Sequence, residues 1–301
     1  MALNQGFIYR EQVEAGSAGT RVLDHLSRLR RHSSLQDWRL RLENGEILLN
    51  GVVIEDNVPL QRGQELAWHR PPWEEPDVPL DYAVLHLDRD LLVVAKPSGL
   101  PTLPGGGFLD HTLLARVRRA FPEATPAHRL GRATSGIVVF ARTAVARSRL
   151  SEAMRRREVV KVYRALASGV PSRSRFSIET RIGPVFHPVL GTVHAASPEG
   201  KTAISQARLL ELRRDAALLE VEIETGRPHQ IRIHLAAAGH PLVGDPLYVT
   251  GGGIRPEGVG LPGDSGYRLH AERLQLRHPA TGAQVRFWCS PPPELRLTSE
   301  R

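Results

Sequence analysis

The sequence holds a single cysteine, Cys289, among 301 residues. An intrachain disulfide is thereby excluded, as is a zinc-finger set of paired thiolates, and a reducing cytoplasm is the expected compartment. Cys289 itself reads as a core or strand residue rather than a nucleophile. Long apolar runs are also missing. The longest, Leu91-Leu92-Val93-Val94-Ala95 and Ile137-Val138-Val139-Phe140-Ala141, are strand-sized and fall far short of a membrane span. The N-terminus has no basic stretch followed by an apolar one, so neither a secretory signal nor a membrane partner is expected. Lysine is scarce: among 40 basic residues only Lys96, Lys161 and Lys201 are lysines. Arginine therefore carries the positive charge, and its planar fork suits phosphates and base edges. Gly251-Gly252-Gly253 is followed by no Gly-Lys-Ser/Thr, which excludes a phosphate-binding loop of that type.

What the chain has in excess is positive charge. A net charge of +8 and a pI near 10.3, without a basic tail, favour a polyanionic partner bound through phosphate contacts and counterion release. A basic surface that only aids solubility is the plainer alternative.

Five segments can be read along the chain. Residues 1–19 are an N-terminal extension. Residues 20–69 form a small module. In it, Val22 to Arg30 has the spacing of a short helix, Ser34 can cap a second helix with Asp37 in its first turn, and Gly45 follows its end. Ile47 to Ile54 reads as a hairpin around Asn50-Gly51, and Gln64 to Trp68 as one more strand. Residues 70–80 are a proline-rich linker that cannot run as a helix or central strand. Residues 81–295 are the main domain, and 296–301 a C-terminal tail.

In the main domain strand signals dominate. Tyr82–Leu87 and Leu91–Ala95 form a hairpin. Strands are also expected over Gly136–Ala141, Val159–Leu166, Phe176–Ile182, Ala203–Leu212 and Ala217–Ile223, and helices over Thr112–Phe121 and Ala144–Arg155. Hairpins outnumber strand-helix-strand units. The expected class is α+β, with a mixed, largely antiparallel sheet and flanking helices. Thr250 to Gly266 is a Gly/Pro-rich loop.

Two motifs carry the functional reading. The first is His128-Arg129-Leu130-Gly131-Arg132-Ala133-Thr134-Ser135-Gly136. The second is Gly226-Arg227-Pro228-His229-Gln230-Ile231-Arg232-Ile233-His234-Leu235, continuing to Gly244-Asp245-Pro246-Leu247-Tyr248. With Lys96-Pro97-Ser98-Gly99, Lys161-Val162-Tyr163 and Leu269-His270-Ala271 they make five ordered blocks over residues 80–290, and together these resemble the RluA-type RNA pseudouridine synthases. That family writes the first motif with Asp, its catalytic carboxylate, where this chain has Gly131. The small module before it resembles an S4-like RNA-binding module, with Arg28, Arg31 and Arg41 on its basic face.

The resemblance implies isomerisation of uridine to pseudouridine in structured RNA, in particular rRNA, without cofactor or metal and by a monomer. Arg129 is similar to the Arg that enters the RNA as the base leaves the stack, with His128 and Lys161 as further RNA-binding residues. Tyr163 is similar to the ring that stacks on the target uracil. Arg232 is similar to the Arg that pairs with the Asp, and without that partner it must find a replacement, bind phosphate or become exposed. His229 and His234 lie five apart, which is not a helical metal pair.

Gly131 leaves three readings open. The carboxylate comes from elsewhere, with Asp110 and Asp245 the nearest candidates. Alternatively catalysis is lost and an RNA-binding or ribosome-assembly protein remains. As a third reading, the pocket runs another reaction on a nucleoside or RNA.

Overall fold

The computed structural model describes residues 3–30, 33–188, 190–256, 260, 263–264 and 266–300. The chain divides into two compact units, Met1–Glu75 and Pro76–Arg301, with the division inside the proline-rich segment.

The first unit runs β1 (Phe7–Gln12), α1 (Val22–Leu29), α2 (Leu35–Glu43), β2 (Ile47–Leu49), β3 (Val52–Val53) and β4 (Glu65–Arg70). Its antiparallel sheet has the order β1-β4-β2-β3. Helix α2 starts where the sequence predicts. Asp37 N–H donates to Ser34 Oγ at 3.1 Å while Ser34 N–H donates to the Asp37 carboxylate at 2.7 Å. Such a capping box stabilises a helix end by about 1 kcal/mol. Asn50 (φ 51°) and Gly51 (φ 80°) make the tight turn between β2 and β3. Leu26, Trp38, Ile47 and Trp68 form the core.

Strand β1 is a correction. It lies within the residues expected as an extension, yet it pairs along its whole length with β4. Its pattern is hidden because an inward position carries a carboxylate: Glu11 Oε1 meets His25 Nε2 at 2.8 Å.

The second unit runs β5 (Ala83–Leu87), β6 (Leu91–Lys96), α3 (Leu113–Ala120), β7 (Thr125–Pro126), β8 (Ser135–Ala141), α4 (Ala144–Arg156), β9 (Val160–Ser168), β10 (Arg175–Ile178), β11 (Ile182–His187), β12 (Gly191–Ala196), β13 (Ser205–Arg213), β14 (Ala216–Ile223), α5 (Gln230–Ala237), β15 (Leu269–Arg277) and β16 (Gln284–Trp288). The large sheet has the order β10-β13-β14-β9-β15-β8-β6-β5, with β16 beside β15 and β7 beside β8. Every pairing in it is antiparallel except β15 with β8. The fold is therefore mixed α+β with a largely antiparallel sheet.

The central strands are buried on both faces, which is why they read as unbroken apolar runs. Leu92, Val94, Val138 and Phe140 pack with α3 and α5 on one face. Leu91, Val93, Ile137 and Val139 pack with α4 on the other, where Cys289 is also buried. Burial pushes the Cys289 thiol up to about 11, consistent with a core residue. Gly136 marks the parallel contact: a Cβ there would lie 2.2 Å from Ala271 O on β15. Only glycine allows so close an approach.

Three other expectations are corrected. The strand expected over Phe176–Ile182 ends at Ile178, and Ile182 begins β11, which forms a separate hairpin with β12. Ile182 and Ala195 of that hairpin bury against Ile233 and Ala236 of α5, so tertiary packing breaks the strand. The second motif, in which no helix is expected, runs into α5. The residues expected as a tail reach back to the sheet, where Arg164 donates to Glu300 at 2.8 Å. Part of the loop Thr250 to Gly266 lies outside the described residues.

Candidate active site

The sheet order brings the two motifs together. Strand β9 presents Tyr163 beside β14 and β15, opposite Val221 and Ala271. The turn leading into β8 presents Arg129 to Thr134, held by Thr134 N–H on Gly131 O at 3.1 Å. The loop before α5 presents Arg227 and His229, and the first turns of α5 present Ile231 and Arg232. Arg129, Gly131, Thr134, Tyr163, Arg227, His229 and Arg232 line one cavity of about 110 Å³. Tyr267, two residues before β15, completes its wall.

A larger groove of about 530 Å³ adjoins it, sharing Arg129, Tyr163, Ile223 and Arg227. His128, Arg155, Arg157, Lys161 and Glu224 also line this groove. Among the described residues its cations outnumber one carboxylate, so it offers a track for a phosphate backbone. Lys161 and Tyr163 are two apart on β9 and both face the groove, as strand alternation requires. Arg155 and Arg157 were not singled out from the sequence. They close α4, where Arg157 takes a left-handed φ of 61° at the C-cap.

Arg232 has found a replacement partner. Its Nε donates to Asp245 Oδ2 at 2.7 Å and its Nη2 to Asp245 Oδ1 at 2.8 Å. Both side chains are buried, at 2% and 1% exposure. Burial opposes the charge on each, and the ion pair overcomes it: the guanidinium is held above its ordinary range and the carboxyl below its own. Asp245 Oδ1 also accepts from the backbone N–H of Leu247 and Tyr248 at 2.9 and 3.0 Å. Asp245 is therefore spent on Arg232 and on its own turn, and it does not line the cavity. Asp110 does not line it either. No Asp or Glu stands among the described residues of the cavity wall.

The other groups have defined partners. His128 accepts the Val139 N–H at Nε2 (3.2 Å), and burial with Lys161 nearby pushes its pKa down to about 4. His229 Nδ1 meets Tyr248 Oη at 2.8 Å, and burial with Arg232 nearby pushes it down to about 3. Both imidazoles are thus neutral at pH 7. Burial raises the Tyr163 phenol to about 12. Arg129 is exposed at the rim. His234 is buried between Ser205 and Thr180, at 2.9 Å from each, and faces no site. No group of three or more His, Cys, Asp or Glu able to hold a metal ion occurs among the described residues. No helix among them is long and apolar enough to cross a membrane.

In the first unit, Arg28 is exposed, whereas Arg41 lies 4.4 Å from both the Trp38 and the Trp68 ring. Arg31 lies outside the described residues.

Sequence reasoning missed Tyr267. An ideal Cβ on Gly131 would lie 2.5 Å from Tyr267 Oη, which also sits 3.2 Å from Thr134 Oγ1. The Arg232 guanidinium carbon is 4.2 Å from the Tyr267 ring centroid. The signal is topological. His270 pairs with Ser135 in the parallel β15–β8 contact, and running that register back three residues brings Tyr267 to Arg132, next to Gly131.

Comparison with known proteins identifies the family. The family model described as RNA pseudouridylate synthase matches residues 90–237. An RNA pseudouridine synthase of Synechocystis is 42% identical over 276 residues, 91% of this chain and 95% of that one. RNA pseudouridine synthase 5 of Arabidopsis thaliana is 37% identical, covering 91% and 89%. Ribosomal large subunit pseudouridine synthase D of Escherichia coli is 35% identical, covering 87% and 83%. Among solved structures, human RNA pseudouridylate synthase domain containing 1 superimposes with a TM-score of 0.56 at 26% identity, covering 74% of this chain and 89% of that one.

Proposed function

The chain belongs to the RluA-type RNA pseudouridine synthases, and we propose that it isomerises uridine in ribosomal RNA, with Gly131 at the place where the motif it resembles is written with Asp. The observation that carries this reading is the convergence of Arg129, Tyr163 and Arg232 on one cavity that opens into a basic groove.

The reaction breaks the C1′–N1 bond, turns the uracil and rejoins it through C5. A base inside a helix is out of reach, so it must first leave the stack. Arg129, exposed at the junction of groove and cavity, can enter the gap, where a planar guanidinium stacks on bases and bonds their edges. The Tyr163 ring offers a stacking face for the extruded uracil. Arg232, kept charged by Asp245, supplies fixed positive potential for the negative charge that develops on the base as the bond breaks. Lys161 and His128 line the groove that takes the flanking phosphates. The first unit, with two helices and a four-stranded sheet, is an S4-like module that adds RNA contacts through Arg28. The protein acts in the cytoplasm as a monomer.

A second reading has its own observation. With no carboxylate on the described cavity wall, the protein binds rRNA during ribosome assembly without changing it. Mapping pseudouridine in cellular RNA with and without the gene, then treating the mapped RNA with purified protein, separates the two. A site lost in the deletion and restored by the protein in vitro supports the synthase. No lost site, with RNA still crosslinked to the groove, supports the binder.

A further inference from the structure

We propose that the Tyr267 hydroxyl performs the sugar chemistry for which position 131 carries no group. The inference rests on the synthase reading above. Gly131 does not adopt a left-handed φ, so its backbone does not call for glycine. What calls for it is space: any side chain at 131 would start 2.5 Å from Tyr267 Oη. Tyr267 is only 3% exposed, so its ring cannot swing aside freely. Position 131 and the Tyr267 hydroxyl thus compete for one location on the cavity wall, and this chain fills it from the segment that leads into β15.

The surroundings suit a reacting phenol. Arg232 lies under the ring at 4.2 Å, so a fixed positive charge stands beside the reacting group. Thr134 Oγ1, at 3.2 Å, can hold the hydroxyl in position. The other cavity groups are less suited. Asp245 is committed to Arg232. Tyr163 has its phenol pushed up to about 12 by burial.

The step balances without a further reactant. The Tyr267 oxygen adds to C1′ as the C1′–N1 bond breaks, the electron pair leaves with the uracil, and the phenol proton passes to N1. The uracil turns and C5 adds to C1′. The bond from C1′ to the tyrosine oxygen breaks with its pair returning to that oxygen, which takes the C5 proton and becomes a phenol again. Tyrosine serves as a nucleophile at a sugar carbon in some glycosidases, so the chemistry is accessible to this side chain.

The test uses the full-length protein and the RNA identified by mapping. Tyr267→Phe removes one oxygen and keeps the ring. Its turnover should fall about a thousandfold, with RNA affinity within about twofold of native and a melting temperature lower by about 2–4 °C for the lost Thr134 contact. Gly131→Ala, which drives a methyl group onto the hydroxyl, should lose turnover comparably and answers the question if Tyr267→Phe does not fold. Near-native turnover in either variant overturns the role of Tyr267 and leaves the synthase reading standing. A native protein that forms no pseudouridine on any RNA overturns both.

Discussion

Asp245 grips Arg232 with two hydrogen bonds, 2.7 Å to Nε and 2.8 Å to Nη2, and both side chains are closed to solvent. The sequence made Arg232 an orphan in need of a partner, and Asp245 meets that need. Removing one half of a buried pair strands the other charge. Asp245→Asn should therefore destabilise the second unit by about 3 kcal/mol. Urea unfolding followed by circular dichroism measures it, and a native midpoint would show that the pair is dispensable.

Much of the fold was legible because local chemistry and tertiary need agreed. Ser34 and Asp37 begin α2, Asn50-Gly51 turn a hairpin, and the doubly buried runs at 91–95 and 137–141 are central strands. What was hidden depends on contacts between segments distant in sequence. Glu11 masks β1 because its inward carboxylate has a histidine partner. The break between Ile178 and Ile182 follows from packing on α5. The candidate site divides the same way. Arg129, Tyr163 and Arg232 announced themselves by motif, whereas Tyr267 reaches Gly131 only through the pairing of β15 with β8.

Lys96 is held for structure. Its ammonium donates to the carbonyls of Leu100 at 2.7 Å, Pro97 at 2.9 Å and Arg132 at 3.1 Å. The last contact ties the Lys96-Pro97 turn to the loop that carries Arg129 and Gly131. Lys96→Met leaves buried carbonyls without a donor, at about 1–3 kcal/mol for each one that finds no water. The variant should lose stability and also turnover, because the Arg129 loop loses its anchor. A stable variant with native turnover would show that this tie does not position the loop.

Arg41 and Arg28 should behave differently. Arg41 lies 4.4 Å from both the Trp38 and the Trp68 ring and hydrogen-bonds Ser33 at 2.9 Å, so it is part of the first unit's fabric. Arg41→Ala should destabilise that unit by about 1–2 kcal/mol. Arg28, on the exposed side of α1, should act through phosphate. Arg28→Ala should reduce the slope of log affinity against log salt by about 0.7–0.9. RNA titrations at several salt concentrations, read beside thermal melts, separate a structural arginine from a binding one. An Arg41→Ala variant with native stability and a shallower salt slope would reverse the assignment.

The two neutral histidines make stability depend on acid. His128 is pushed from 6.5 to about 4 and His229 from 6.5 to about 3. Both folded values lie below the unfolded one. The unfolded chain therefore takes up protons as pH falls through 6.5, while the folded chain does not until its own lower values are reached. The contribution of each to stability is complete above pH 6.5 and is lost progressively as pH falls toward 4 for His128 and toward 3 for His229. Each unmatched proton steepens the fall by about 1.4 kcal/mol per pH unit. Gln at 128 offers a carbonyl oxygen to the Val139 N–H and does not titrate. His128→Gln should thus show a shallower loss of stability than native between pH 6 and pH 4. Urea midpoints across that range test this directly. Parallel profiles for native and variant would mean that His128 already carries its proton in the folded chain, and that the Val139 N–H does not point at an open lone pair.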